Sequence, residues 1–351
     1  METFFLISPL NFENTLEIEL KEKFKFYEKE DPDYKIIEGG IEVTCTADQG
    51  NRMNYYLKCP TRILRRIKTQ KCRDFPKLFN IIKKVQWKNY SRQVEFNWLI
   101  TTKKSRLINT SKMEESCKKA IKEYFKANSF SQKILDNKEN FQKQNIHIRV
   151  VEDNLQLSID TSGDALYIRG GDSYRGLASI RSTLASCLLI NFLKNKKKIK
   201  LVDPMCGSAT FLKEARDYNI PNMNRSYAFE DYASAEKPNE KSIGFDIEKL
   251  LGFDIDSNIV NKQKSFAITK ADAFKYKRDD ECLVICNPPY GKRVKLSQPR
   301  DVYYLNLIKS LKENFKATEI SIILPLDIKL DHYKFRSKIF NSGIWLYSYI
   351  L

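Results

Sequence analysis

No run in the sequence approaches the ~18 uninterrupted apolar residues of a membrane span, so a chain crossing a bilayer as a helix is not expected. The opening, METFFLISPLNFENTLE, has no basic n-region, and its apolar run is too short for a secretory signal. The expectation is a soluble, intracellular, cytoplasmic protein. Eight cysteines are scattered at positions 45, 59, 72, 117, 187, 206, 282 and 286 without a single CxxC. Zinc-finger and redox frameworks are therefore not expected, nor is any metal. Cys282 and Cys286, in the apolar run CLVIC, read as small core residues. Histidine is scarce: His147 and His332 are the only two, and neither lies in a motif, so histidine catalysis is not expected. GxxxxGK[ST] and GxGxxG are both absent, which argues against a P-loop and a dinucleotide fingerprint.

What is present is a chain of 351 residues, 42% apolar and 30% charged, too apolar to be disordered throughout. At roughly 100–200 residues per domain it has room for two or three. Its net charge of +17 is unevenly spread. Residues 1–60 carry 7 basic and 12 acidic groups, residues 61–150 carry 23 and 7, and residues 151–351 carry 31 and 25. The middle segment thus holds nearly the whole excess, interleaved with Phe75, Phe79, Trp87, Tyr90, Phe96 and Trp98. Such a surface attracts phosphate and binds through counterion release. The plainer alternative is a solvated face around a core made of those aromatics.

Local patterns give a strand over 1–7, a helix from Asn14 to Phe24, and a strand–turn–strand over Tyr34–Cys45 at Gly39-Gly40. A helix is expected over 51–67 and another over Pro76–Trp87, then a strand over Val94–Thr102. Ser111 is the expected N-cap of a helix running to Phe125, with Glu114 as capping-box partner. Residues 127–145 read as a polar loop. Ile146–Val151, Leu155–Asp160 and Ala165–Arg169 read as strands, the last two joined by TSGD. From Ile180 onward, an apolar helix and repeated strand–loop–helix units signal a mostly parallel sheet, with the main boundary near residue 170.

Three elements carry chemistry. In IKLVDPMCGSATFLKEA (199–215) a strand ends at Asp203, and a loop of small residues leads to a helix near Thr210. Small residues admit a ligand to the backbone, and a helix start offers free N–H groups. In LLGFDID (250–256) an apolar strand ends in acids; a carboxylate there can accept from both hydroxyls of a ribose. Asp254 is preferred, with Asp246 of the near-repeat IGFDI as rival; Asp272 of KADAF can accept from an adenine amine. In ECLVICNPPYGKRV (281–294) a buried strand ends in Asn287-Pro288-Pro289-Tyr290. The prolines stiffen the backbone and have no N–H. The Asn287 side-chain oxygen and the Pro288 carbonyl can then accept from one exocyclic amine, while Tyr290 offers a flat face to an unstacked base.

In this order the elements resemble class I S-adenosylmethionine-dependent methyltransferases acting on amino groups. DPMCGSATF, AFEDY (228–232), GFDID, ADAF, NPPYGKRV and FNSG (340–343) together resemble the THUMP-containing RNA guanine-N2 methyltransferases that act on 23S rRNA and tRNA. CPTRILRRI (59–67) and LINTSKMEESCKKAIKEYF (107–125) resemble their ferredoxin-like plus THUMP portion, and RGGDSYRGLASIRSTLASCLL (169–189) their lead-in to catalysis.

The resemblance implies an α/β fold: a C-terminal Rossmann-like, doubly wound methyltransferase domain (171–351) preceded by a ferredoxin-like domain (1–60) and a THUMP RNA-binding domain (61–170). It implies S-adenosyl-L-methionine as cofactor, lined by Asp203, Pro204, Cys206, Gly207, Ser208 and Thr210, with Asp254 on the ribose and Asp272 and Ala273 on the adenine. Asn287, Pro288, Pro289 and Tyr290 would serve catalysis. Arg62, Arg65, Arg66, Lys103, Lys104, Arg106 and Arg293 are the candidate RNA contacts. The chain departs from the family in carrying Ala209 where glycine is usual, and in the short segment between Asp254 and Asp272. The expected activity is methylation of guanine N2, with 23S rRNA ahead of tRNA, by a monomer. The alternatives are adenine-N6 methylation of a nucleic acid, glutamine methylation of a protein, and a non-catalytic RNA-binding assembly factor.

Overall fold

Two seven-stranded sheets organise the chain in a computed structural model that describes residues 1–90, 96–128, 144–171, 179–263, 266–291 and 296–351. The first sheet begins with β1 (Glu2–Ile7), followed by α1 (Glu13–Glu28), β2 (Asp33–Ile37), β3 (Gly40–Cys45) and α2 (Ala47–Tyr56). Next come β4 (Arg62–Lys71), α3 (Phe75–Lys83), β5 (Phe96–Lys103), α4 (Thr110–Ala127), β6 (Gln144–Val151) and β7 (Asn154–Asp160). The strand order is β2-β3-β1-β4-β7-β6-β5. β1 pairs with both β3 and β4, so the segments 1–60 and 61–170 share one sheet. Leu78, Ile82, Met113, Cys117 and Ile121 of α3 and α4 bury against β5–β7, together with Trp87, Phe96 and Trp98. Those interleaved aromatics are therefore largely core.

Three local expectations are corrected. The helix expected over 51–67 is instead α2 up to Tyr56, then strand from Arg62. A Thr46–Gln49 capping box starts α2, Leu57 turns extended, and Pro60 lacks the N–H a helix would need. The N-cap of α4 is Asn109, not Ser111: its side chain accepts from Lys112 N at 3.0 Å. Residues 165–169 form no strand. The Arg225 guanidinium donates to the carbonyls of Ser162, Asp164, Ala165 and Ile168 at 2.7–2.9 Å, which gathers this segment into a tight turn.

The second sheet is built from β8 (Ile199–Asp203), β9 (Ile247–Asp254), β10 (Ile268–Lys270), β11 (Cys282–Cys286), β12 (Ala317–Pro325), β13 (Phe335–Asn341) and β14 (Ile344–Ile350). Its helices are α5 (Ser182–Leu193), α6 (Thr210–Arg216), α7 (Ser257–Lys262) and α8 (Arg300–Glu313). The order is β10-β9-β8-β11-β12-β14-β13, with β14 antiparallel to both its neighbours. The stretch between Asp254 and Asp272 does fold as helix and strand, in six and three residues. α5 is apolar almost all round and correspondingly buried. It packs on α1 from one half and on α6 from the other, so one continuous core runs from Phe4 through Leu188 to Ile350. Among the described residues no helix is long and apolar enough to cross a membrane.

Candidate active site at the carboxyl edge of the second sheet

β10, β9, β8 and β11 run parallel, so their carboxyl ends open on one edge. Connections leave β8 toward β9 on one side, and the chain returns on its other side as β11. That reversal of strand order creates a crevice at the strand ends. The sequence-derived residues Asp203–Thr210, Asp254, Asp272–Ala273 and Asn287–Tyr290 all lie along this edge.

The loop after β8 is stitched to β9. Gly207 N donates to Asp254 Oδ2 at 2.9 Å and Cys206 N to the Phe253 carbonyl at 2.9 Å. Asp254 Oδ1 takes Asp256 N at 3.0 Å. A Cβ on Gly252 would lie 2.9 Å from Leu212 Cδ1 and 3.2 Å from Cys206 Sγ, so this glycine permits the close approach. Asp246, the rival, lies outside β9 and is exposed, which favours Asp254 as the acid of this edge. Ser208 and Thr210 share a hydroxyl hydrogen bond of 3.0 Å.

Ala209 has φ +56°. A left-handed conformation explains why glycine suits this position, since an alanine there is strained. Its methyl group is fully buried in the core. Asp203 is buried at the end of β8, and its Oδ1 accepts Met205 N at 3.2 Å. Burial, with help from the Asp254 charge and against the Met205 N–H, pushes its carboxyl up to about 8.

The residues fit a nucleoside-bearing cation. A Cβ on Gly207 would meet nothing within 4 Å, so the loop faces open space there. Asp254, whose Oδ2 accepts Gly207 N, lies beside that opening with lone pairs to spare, and the buried carboxyl of Asp203 feels its charge. Asp272 Oδ1 accepts Phe274 N at 2.9 Å, and Ala273 is buried with its carbonyl held by Ser310 Oγ at 2.8 Å.

On the far side of the crevice, the Tyr290 hydroxyl donates to Asn287 Oδ1. Burial keeps that hydroxyl far above its ordinary pKa, so it remains a donor. Tyr304 Oη donates to the Pro289 carbonyl at 2.9 Å and Tyr303 Oη approaches Met205 Sδ at 3.9 Å. Tyr303, Tyr304 and Ser310 of α8 thus brace both walls from behind. The sequence reading missed them; the signal was the apolar spacing of VYYLNLIKSL.

The candidate RNA contacts divide. Arg62 pairs with Asp160, Arg65 with Glu2, and Arg66 with Glu42 and Ser158. These three arginines hold strands together. Lys103, Lys104 and Arg106 sit on an exposed turn, although Lys103 approaches Glu38 and Arg106 approaches Asp153. Arg293 lies outside the described residues. On α3 and α4, Lys77, Lys112, Lys122 and Lys126 face solvent, as does Lys84 at the C-cap of α3.

Residues 169–333 match the family described as UPF0020, RMKL-like, methyltransferase domain. The ribosomal RNA large subunit methyltransferase K/L of Vibrio cholerae serotype O1 is 27% identical over 337 residues, covering 87% of this chain and 47% of that protein. The chain therefore spans about half the length of the curated relatives it matches. Among solved structures, SMU.472, crystallised with SAH, superposes with a TM-score of 0.78 at 22% identity, covering 100% of this chain and 97% of the other. TrmN from Thermus thermophilus gives 0.69 at 12% identity, covering 100% and 99%. These two likenesses are likenesses of fold.

Proposed function

We propose, from a chain whose residues 169–333 match the RMKL-like methyltransferase domain family, that it transfers a methyl group from S-adenosylmethionine to the exocyclic N2 amine of a guanine in large-subunit ribosomal RNA. The observation that carries the reading is the placement of Asn287-Pro288-Pro289-Tyr290 on the same sheet edge as the 203–210 loop and Asp254. The Vibrio relative supplies the choice of ribosomal RNA. The first sheet is read as the ferredoxin-like (1–60) and THUMP (61–170) portion, gripping structured RNA by shape and phosphate.

When bound, S-adenosylmethionine supplies an electrophilic methyl group on a sulfonium. Asp254 would take its ribose hydroxyls, the 206–210 backbone its amino-acid end, and Asp272 its adenine amine. Asn287 Oδ1 and the Pro288 carbonyl accept the two N–H groups of the target amine. They hold its lone pair in line with the methyl carbon and stabilise the positive charge that grows on nitrogen. With both acceptors in place, Asn287 Oδ1 and the Pro288 carbonyl would hold the nitrogen's surplus proton until it leaves to solvent. The Tyr290 hydroxyl takes one of the two lone pairs of Asn287 Oδ1 and leaves the other for the target amine.

Labelled S-adenosylmethionine, offered with ribosomal RNA and tRNA from cells lacking the protein, tests the reading through nucleoside analysis. Label in N2-methylguanosine of ribosomal RNA is expected. Label in N6-methyladenosine would overturn the base, and label only in tRNA would overturn the RNA class.

Asp203 adds a pH signature. Its ordinary value is 3.8 and its folded value about 8, so the folded protein keeps a proton that the unfolded chain loses. This contribution to stability is complete below pH ~4 and is lost as pH rises through about 8. A cation beside Asp203 favours the ionised form, so cofactor affinity should rise with pH between about 6 and 8, with proton release on binding at pH 7. Calorimetry in buffers of different ionisation heat reads the release; its absence, with flat affinity, would exclude Asp203 from the site.

A further inference from the structure

The outermost hairpin of the second sheet carries a strip of exposed aromatics and cations on one face. In the β13–β14 register, Phe340 lies opposite Trp345, Lys338 opposite Tyr347 and Arg336 opposite Tyr349. The Phe340 and Trp345 rings are 5.1 Å apart. Lys338 Nζ lies 4.6 Å over the Trp345 ring, and the Arg336 guanidinium lies 4.9 Å over Tyr347 and 5.3 Å over Tyr333. Phe340, Trp345 and Tyr333 each keep about two-fifths of their surface exposed. Among the described residues neither Arg336 nor Lys338 forms an ion pair.

Edge strands need charge to deter stray pairing, and these two cations supply it. That need does not extend to three large rings left in water. Position adds the second argument. Leu346 of β14 pairs with Pro325 at the carboxyl end of β12, which neighbours β11. The Phe340–Trp345 pair is therefore on the same edge as Asn287, about 14–18 Å away, two to three strand spacings across and about three residues along. It also shares a face with Tyr347, Tyr349 and α8, whose Tyr304 holds Pro289.

We propose that the strip Tyr333–Arg336–Tyr347–Lys338–Trp345–Phe340 is a stacking platform for single-stranded RNA flanking the target nucleotide. The rings take base faces and the two cations take phosphates. The inference rests on the RNA reading above and names where unpaired RNA lies as the target enters the crevice.

Of the three tryptophans, Trp87 and Trp98 are buried and Trp345 is exposed, so the part of the emission that Trp345→Ala removes reports on the platform. Oligouridylate titrated into the full chain, without cofactor, should quench Trp345. Phe340→Ala and Trp345→Ala should each weaken binding of a labelled oligouridylate by roughly 5- to 150-fold, while Trp345→Phe retains it. Arg336→Gln with Lys338→Gln should reduce the salt slope by about 1.4. Unchanged binding in both alanine variants, or unquenched emission, would overturn the platform. So would a dimer that Trp345→Ala dissociates, since the strip would then be a contact between copies. Quenching without methyl transfer to any RNA would sink the catalytic reading alone; methyl transfer with unchanged KM in Trp345→Ala would sink the platform alone.

Discussion

Asn287→Ala is expected to lower kcat for methyl transfer by about 10²–10³-fold, the usual cost of losing one preorganised group aimed at developing charge. Asn287 makes no hydrogen bond to the 203–210 loop; its partner is the Tyr290 hydroxyl on its own turn. Cofactor affinity should therefore stay within about twofold, so the loss appears in kcat and not in binding. Tyr290→Phe separates two roles of the tyrosine. It removes the hydroxyl that donates to Asn287 Oδ1 and keeps the ring, so KM for RNA should fall or hold while kcat drops far less than in Asn287→Ala. Single-turnover measurements read both. Asn287→Ala within tenfold of wild type would remove Asn287 from the chemistry.

Arg169→Met should destabilise the protein by about 3–5 kcal/mol, the cost of leaving a buried charge without its partner. Arg169 Nη2 and Nε bond to Glu214 at 2.8 and 3.1 Å, Nη1 to the Leu166 carbonyl at 2.9 Å, and Nη2 to the Lys58 carbonyl at 2.8 Å. Ser186 Oγ also donates to Glu214 at 2.6 Å. Burial alone would raise the Glu214 carboxyl, but the Arg169 charge and bonds outweigh it and hold it below the ordinary range. One ion pair thus ties the end of α2, the 165–169 turn, α5 and the helix that follows the 203–209 loop. Urea midpoints read the loss, and pairing Arg169→Met with Glu214→Leu should recover most of it. A single variant as stable as wild type would show that the pair contributes nothing net.

What could be read in advance was local. The strand ending at Asp203, the acid that ends β9 and the Asn-Pro-Pro-Tyr turn are contiguous patterns, and each falls on the carboxyl edge of the second sheet. The misses depend on partners distant in sequence. Ala165–Arg169 has the alternation of a strand, yet Arg225 gathers carbonyls of residues 162–168 into a turn from 57 to 63 residues away in sequence. Segment charge was similarly misleading: Arg62, Arg65 and Arg66 count toward a basic patch, but Asp160, Glu2 and Glu42 come from other strands to neutralise them. The departure at Ala209 was visible as a residue, but its meaning required a backbone angle.

The core that joins the two sheets also shapes how the protein is made. Phe4 and Ile350 belong to it together, so it cannot close until β14 has been synthesised. At about 5–20 residues per second, translation of this length takes on the order of 20–70 s. α1 lacks α5 until residue 193 has been made, more than half of that interval, and the hairpin of β13 and β14 joins the shared core only at its end. Contacts of such long sequence separation fold slowly and leave strand edges open to aggregation. Low growth temperature and holding chaperones should therefore raise the yield of native protein, and separately expressed halves should be recovered mainly as insoluble material.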